Sequence, residues 1–579
     1  MRGSGGAGPF AVVMAVWIAA VILLAGGALA FGPHAYKSLA EVFFGEQDLP
    51  IAAVMAAIVV GLRFARVPAW AAAPQSWAAP GVRVRIVLGL AALSIVIGWL
   101  GARVVMQGYG LSMDEFMAGF DARILGRGRL LADVPAAWRP FVPAMQPIFR
   151  LPVEGGRAWA SSYLPVNAGL QALTGLVGDR ALAGPLLSAL GVLATYGVAR
   201  RIWPERPDVA VIAAVLLATS SQLLVTAMTP YAMSGHLALN MAWLWLALGR
   251  SRAEQAGAAG VAWLACGLHQ LLFNPMFAAP FILWFWLDGR RGRAMFHAVA
   301  YALILAFWTE YVRLAAALSH VQVQGAVGSG YFAATLRMLV GDLGPTAIGT
   351  MSENLLRLLT WQNPLTLPLA LVGVAAVRRR PGLWPFVAGI GLTLAVVGVL
   401  MPYQGHGWGY RYLHGLLGSL CLLAGWGWAG LTDRLSPERR GEATVGFVLA
   451  AAASLVVLLP MRAWQAHAFV APYAAAERAI QASSAPVVVV DPRGLLFGDD
   501  LARNDPWLER GPKVLDLRAL TPALATTLRS SGPVALFDAR SPAAQGLRRI
   551  DQPGPYAARM AAARAALGPL SVSSPPSAR

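Results

Sequence analysis

Asp114 and Glu115 stand side by side in a charged stretch, residues 109–129, that begins directly after an apolar run at 84–106. Their distance from the end of that run sets them at a membrane surface rather than inside a bilayer. A carboxylate held in place there can take a proton from a hydroxyl or ligate a cation. A second stretch, HGWGYRYLHG at residues 406–415, offers different chemistry. Its glycines allow tight turns, and Arg411 opens the next apolar run between Tyr410 and Tyr412. A guanidinium fixed by aromatic rings can grip a phosphate through two oxygens. The plainer alternative is an interfacial anchor whose Arg reaches toward water.

The composition says what must position these groups. Of 579 residues, 57% are hydrophobic and only 13% charged, and the mean hydropathy is +0.58. So little charge cannot clothe a soluble protein of this length, and the chain reads as a polytopic membrane protein, mainly α-helical. Lys occurs only at positions 37 and 513, so nearly all of the 46 basic residues are Arg, which points to a GC-rich bacterial genome. The net charge of +18 does not indicate nucleic acid, because the Arg residues sit in short clusters between apolar runs. That distribution follows the positive-inside rule. Cys266 and Cys421 lie in apolar runs, which excludes a disulfide or thiolate metal site as an organising feature.

Thirteen spans are expected, at 10–31, 50–66, 84–106, 181–199, 208–227, 232–249, 256–271, 274–287, 295–317, 362–377, 384–401, 411–431 and 443–461. With the N-terminus inside, Arg200–Arg206, Arg250–Arg252, Arg290–Arg293, Arg378–Arg380 and Arg434–Arg440 all fall on the cytoplasmic side. The loop 107–160 and the C-terminus then face outward. Tyr163–Gly178 is apolar but only 16 residues long, and if it crossed, Arg200 and Arg201 would end outside, so it is expected to be a juxtamembrane or partly inserted helix. Past residue 465, the runs Val487–Val490, Val514–Leu517 and Val534–Phe537, each ending near Asp491, Asp516 or Asp538, suggest a small α/β domain. Those aspartates are expected to be turn or cap residues. The chain thus divides into N-terminal membrane helices (1–106), an acidic outer loop (107–180), a membrane core (181–464) and an outer α/β domain (465–579).

Under this topology His236, His269, Asn274, Glu310, Arg313, His320, Glu353, His406, Arg411 and His414 gather at the outer ends of spans, with Asp114 and Glu115. Charged and polar side chains near a bilayer are costly and tend to mark a site. Each has a plain alternative: a lone His is an interfacial side chain, and Glu310 pairs with Arg313 three residues on.

A large first outer loop with Asp-Glu just after a span resembles the GT-C superfamily of polyprenyl-phosphate-sugar glycosyltransferases, among them protein O-mannosyltransferases and lipid A aminoarabinose transferase. Tyr163-Leu164-Pro165 resembles the start of that group's next conserved helix, and WGYRYLH at 408–414 resembles its late Gly-x-Arg-Tyr motif. The resemblance covers roughly residues 84–431. It implies a bacterial inner-membrane enzyme with a periplasmic active site. The donor would be a sugar on a polyprenyl phosphate, and the acceptor a glycan, lipid or protein. Asp114 would take the acceptor proton, with inversion at the anomeric carbon. Arg411, helped by His406 or Tyr412, would stabilise the departing phosphate. Glu115 would orient the acceptor or bind a divalent cation, though nothing in the spacing demands a metal. Tyr163, His236, His269, Glu310 and His414 are the expected substrate contacts. The alternatives are a transporter or flippase, which calls for charges near mid-span and inverted repeats, and a non-catalytic envelope-assembly scaffold.

Overall fold

The computed structural model describes residues 8–32, 39–64, 79–146, 148–324, 345–380, 382–401, 403–550, 557–568 and 571–572. The last two residues of the expected span 50–66 lie outside them.

Helices dominate. They are α1 (Pro9–Phe31), α2 (Leu39–Phe64, with a π-helical turn at Phe44–Asp48), α3 (Pro80–Val104), α4 (Met113–Leu125), α5 (Val166–Leu176), α6 (Ala183–Ile202), α7 (Pro207–Ala218), α8 (Ser221–Ala227) and α9 (Met233–Ala247). Then come α10 (Arg252–Cys266), α11 (Phe273–Leu287), α12 (Arg291–Leu318), α13 (Pro345–Thr360), α14 (Thr366–Val374), α15 (Trp384–Leu400), α16 (Leu417–Thr432) and α17 (Pro437–Gln481). Proline in the first turn starts α1, α3, α7 and α17, where the missing N–H costs nothing.

Among the described residues seven helices are long and apolar enough to cross a membrane, or eight if α7 and α8, bent by 54°, form one span. Several of the thirteen expected spans are shorter elements. α9, α10 and α11 have 15 residues each and α14 has nine. A helix of that length rises roughly 14–22 Å, less than a hydrocarbon core of about 30 Å. The long helices expose large apolar side chains that water would penalise, such as Ile22, Leu23 and Leu29 on α1 and Leu88, Val96 and Leu100 on α3. Inside the bundle, small residues permit close crossings. A Cβ at Gly427 of α16 would come within 1.9 Å of the Leu369 carbonyl oxygen of α14.

α17 has 45 residues, roughly 68 Å at the helical rise and more than twice the hydrocarbon thickness. The boundary expected at 464/465 falls inside this helix. Besides the short antiparallel pair β1 (Ala132–Asp133) and β2 (Ala158–Trp159), the chain forms after α17 a parallel sheet of β3 (Val487–Val490), β4 (Lys513–Asp516), β5 (Val534–Phe537) and β6 (Ser571–Val572), in the order β4-β3-β5-β6. Two more helices accompany it, α18 (Pro522–Ser531) and α19 (Ala557–Leu567). β3 is four valines because both its faces are covered. Val488 and Val490 pack with Phe469 and Tyr473 of α17, whereas Val487 and Val489 join the core that includes Met117, Phe120 and Trp159 of the acidic loop. The sheet therefore sits between α17 and that loop. Its three strand-end aspartates each pair with an Arg two residues on, Asp491–Arg493, Asp516–Arg518 and Asp538–Arg540.

Candidate active site

Helix α4 starts where Ser112 caps it. Glu115 Oε2 accepts the Ser112 backbone N–H at 2.9 Å, and Ser112 Oγ caps the Glu115 N–H. This reciprocal box explains why the acidic pair occupies the first turn, where the helix dipole also favours negative charge. A second clamp comes from across the chain: Asp500 Oδ2 accepts the Met113 N–H at 3.1 Å.

Asp114 and Glu115 point to different surroundings. Asp114 lies nearly closed to solvent between two partners. Arg411 Nη1 donates to its Oδ2 at 2.7 Å, and the Tyr163 hydroxyl donates to its Oδ1. Burial pushes the Asp114 carboxyl up, but Arg411, His269 and the Tyr163 hydrogen bond outweigh it and hold the group below the ordinary range. Tyr163 packs against His269 with ring centroids 4.5 Å apart and the planes tilted by 34°. Glu115 faces inward, and burial pushes its carboxyl up to about 7 despite its Ser112 hydrogen bonds.

Arg411 is held by the segment before it. That segment has no ladder to satisfy its carbonyls, so side chains do so. Tyr231 Oη donates to the His406 carbonyl at 3.2 Å, Arg357 to Gly407 at 2.8 Å, Thr226 to Trp408 at 3.3 Å and Gln222 to Tyr410 at 2.8 Å. Gly409 has φ +79°, and a Cβ there would lie 2.5 Å from Gln222, so both the turn and the close approach require glycine. Arg411 then opens a 3₁₀ turn, its own N–H bonded to Gln404 Oε1 at 3.0 Å and its guanidinium 5.2 Å from the Tyr412 ring centroid.

The remaining expected residues divide. His406 Nδ1 lies 3.1 Å from Tyr231 Oη, which lies 2.8 Å from Ser112 Oγ. This chain links His406 to Glu115. His236 and His414 are buried with no hydrogen-bond partner on either ring nitrogen, beside Asn240, whose Nδ2 donates to the Gly415 carbonyl at 2.9 Å. Asn274 donates to Asn240 Oδ1 at 2.8 Å. Glu310 is not gathered in: it is exposed and pairs with Arg313 at 2.8 Å. Among the described residues no three His, Cys, Asp or Glu side chains converge as metal ligands.

Sequence reasoning missed Tyr231, Gln404 and Asp500, and it missed a buried ion cluster behind the site. Asp48 in the π-helical turn of α2 bonds Arg357 of α13 and Arg462 of α17, each at 2.9 Å. Arg357 in turn holds the Gly407 carbonyl. An Asp and two Arg spread over 414 positions give no local signal.

No family model matches the chain, and no curated protein matches it. Among solved structures it is similar to ArnT from Cupriavidus metallidurans bound to undecaprenyl phosphate, at 14% identity and TM-score 0.49, over 74% of this chain and 86% of that one. The same protein in its apo state gives TM-score 0.43 at 14% identity, over 74% and 85%. The Archaeoglobus fulgidus oligosaccharyltransferase in its apo form gives 12% identity and TM-score 0.42, over 76% and 65%.

Proposed function

We propose that the chain is an integral-membrane, inverting glycosyltransferase that moves a sugar from a polyprenyl phosphate to a glycan, lipid or protein acceptor on the periplasmic side of a bacterial inner membrane. The observation that carries this reading is the Asp114–Arg411 pair. A carboxylate suited to accept a proton and a guanidinium suited to hold a phosphate meet across 297 positions of sequence, both nearly buried.

The pair supports the following mechanism. In the resting site Arg411 neutralises Asp114. When the donor enters, its phosphate competes for Arg411 and frees one Asp114 oxygen. The acceptor oxygen then attacks the anomeric carbon as its proton passes to Asp114. The bond from that carbon to the phosphate oxygen breaks, and the electron pair leaves with the phosphate. Charge grows on that oxygen in the transition state, so a preset guanidinium stabilises it more than it stabilises the ground state. Tyr163 positions Asp114, His269 buttresses Tyr163, and Glu115 fixes the start of α4. Tyr412 and His406 hold the ground around Arg411.

The same reading sets the emergent end of α17 and its sheet in the periplasm and keeps residues 465–579 as a unit closing over the acidic loop. The test is transfer by the purified protein from a polyprenyl-phosphate-sugar pool. Asp114→Asn should lose activity while its abundance stays normal, and full activity in that variant would overturn the reading.

A further inference from the structure

An opening on the Glu115 side of α4 is lined by Tyr231, whose ring centroid lies 6.0 Å from the Arg411 guanidinium. It is a cleft of about 480 Å³ between α3, α4, α5 and the turn at Met228–Tyr231. Four guanidiniums line it, those of Arg103, Arg123, Arg180 and Arg503, against three carboxylates, those of Glu115, Asp179 and Glu477. Two of the four are already engaged. Arg103 pairs with Asp179, and Arg503 bonds the Leu111 and Asp500 carbonyls at 2.9 and 2.6 Å.

Arg123 and Arg180 are not paired. Neither has a carboxylate within ion-pair distance among the described residues; Arg123 lies over the Phe116 ring, 5.9 Å to its centroid, and its buried Nε has no hydrogen-bond partner. Asp505 and Glu477 attract Arg123 from farther away, whereas Arg180 and Arg510 repel it. The positive-inside rule does not account for them, because on the proposed topology this cleft opens on the outer side. A largely buried guanidinium with an unused donor is costly unless a ligand completes it.

We infer that this cleft is the acceptor site, and that the acceptor carries a phosphate or carboxylate that docks on Arg123 and Arg180. The inference rests on the glycosyltransferase reading and names the chemical class of its acceptor. Arg123 follows Glu115 by two turns of α4, about 12 Å along the helix axis. The anionic group is therefore held well away from the hydroxyl that reacts, as a recognition handle rather than as the nucleophile. Small residues in the lining, Gly108 and Gly119 among them, leave room beside the backbone.

The test uses the full chain in nanodiscs. Two anionic probes separate a lipid from a soluble source: phosphatidylglycerol against phosphatidylcholine in the bilayer, and glucose 6-phosphate against glucose in solution. Thermal stabilisation by at least one anionic probe is expected. In the Arg123→Gln/Arg180→Gln double variant it should weaken by tenfold or more in half-saturating concentration. Stabilisation by undecaprenyl phosphate, which reports the Arg411 side, should stay as in wild type. If the double variant does not fold, Arg180→Gln alone, at an exposed side chain, is read in the same way. No response to either anionic probe, or an equal response in variant and wild type, would overturn the inference. Loss of the undecaprenyl phosphate response in wild type would instead count against the glycosyltransferase reading.

Discussion

Asp114 Oδ2 and Arg411 Nη1 lie 2.7 Å apart, with both side chains almost closed to solvent. This pair separates the roles of its two members under mutation. Asp114→Asn keeps the shape and removes the base, so turnover should fall roughly 10²–10⁴-fold with normal expression. Arg411→Ala should nearly abolish donor use and also destabilise the fold by about 3–5 kcal/mol, because it leaves a buried carboxylate unpaired. Arg411→Lys keeps the charge but not the fork, so donor use should still drop clearly. Wild-type turnover by the Lys variant would reduce Arg411 to an interfacial anchor.

The parts of this site that are legible in the sequence are those where charge interrupts an apolar pattern. Asp114, Glu115 and Arg411 each stand beside an apolar run, and a charge there is conspicuous. Tyr231 and Asp500 are not legible. Tyr231 resembles any interfacial aromatic, and Asp500 reaches Met113 from 387 positions away. Glu310 shows the converse, since its charge is as visible as that of Asp114 but is spent on Arg313 one turn along. Hydropathy misjudges helix length for a related reason. It reads composition, whereas length is set by breaks such as Thr219-Ser220, where Ser220 caps a new helix and turns the run at 208–227 into a bent pair. Strands β3, β4 and β5 are easier to read, because a both-sides-buried parallel strand is written as a short β-branched or apolar run, whereas β6, Ser571–Val572, carries no such run.

Orientation can be checked without activity. On the positive-inside rule, reporters fused after Met145 and at the C-terminus should both report the periplasm. A cytoplasmic signal at either point would invert the outer face and, with it, the basic-cleft inference.

Glu115 gives a pH signature. Its folded value of about 7 lies above the 4.5 of a free carboxyl, because burial favours the neutral form. The folded state therefore holds this proton more tightly than the unfolded chain does. The resulting stability is fully present below about pH 4.5 and is lost as pH rises through about 7, up to about 3 kcal/mol. Glu115→Gln stays neutral throughout, so its melting temperature should vary less than that of wild type between pH 5 and 8. Parallel melting curves for the two proteins would exclude Glu115 as the titrating group.

The C-terminal segment should matter for turnover rather than for donor binding. Asp500 holds the Met113 N–H, while Arg503 holds the Leu111 carbonyl and lies 4.0 Å from the Tyr109 ring centroid. Together they grip the residues on both sides of the Ser112 cap and so set the angle at which α4 offers Asp114. Asp500→Asn keeps the size and an acceptor oxygen and should cost little, a factor of two or so. Asp500→Ala leaves the Met113 N–H without its partner, a loss of about 1–3 kcal/mol in a buried setting. If positioning is the role, kcat should fall about tenfold or more with KM for the donor nearly unchanged, since a small misplacement of a catalytic group costs rate before it costs binding. Stabilisation by undecaprenyl phosphate, which reads the Arg411 side alone, should be kept. A variant that loses KM and kcat together, or loses the lipid response, would show that Asp500 supports the fold as a whole and not the angle of α4.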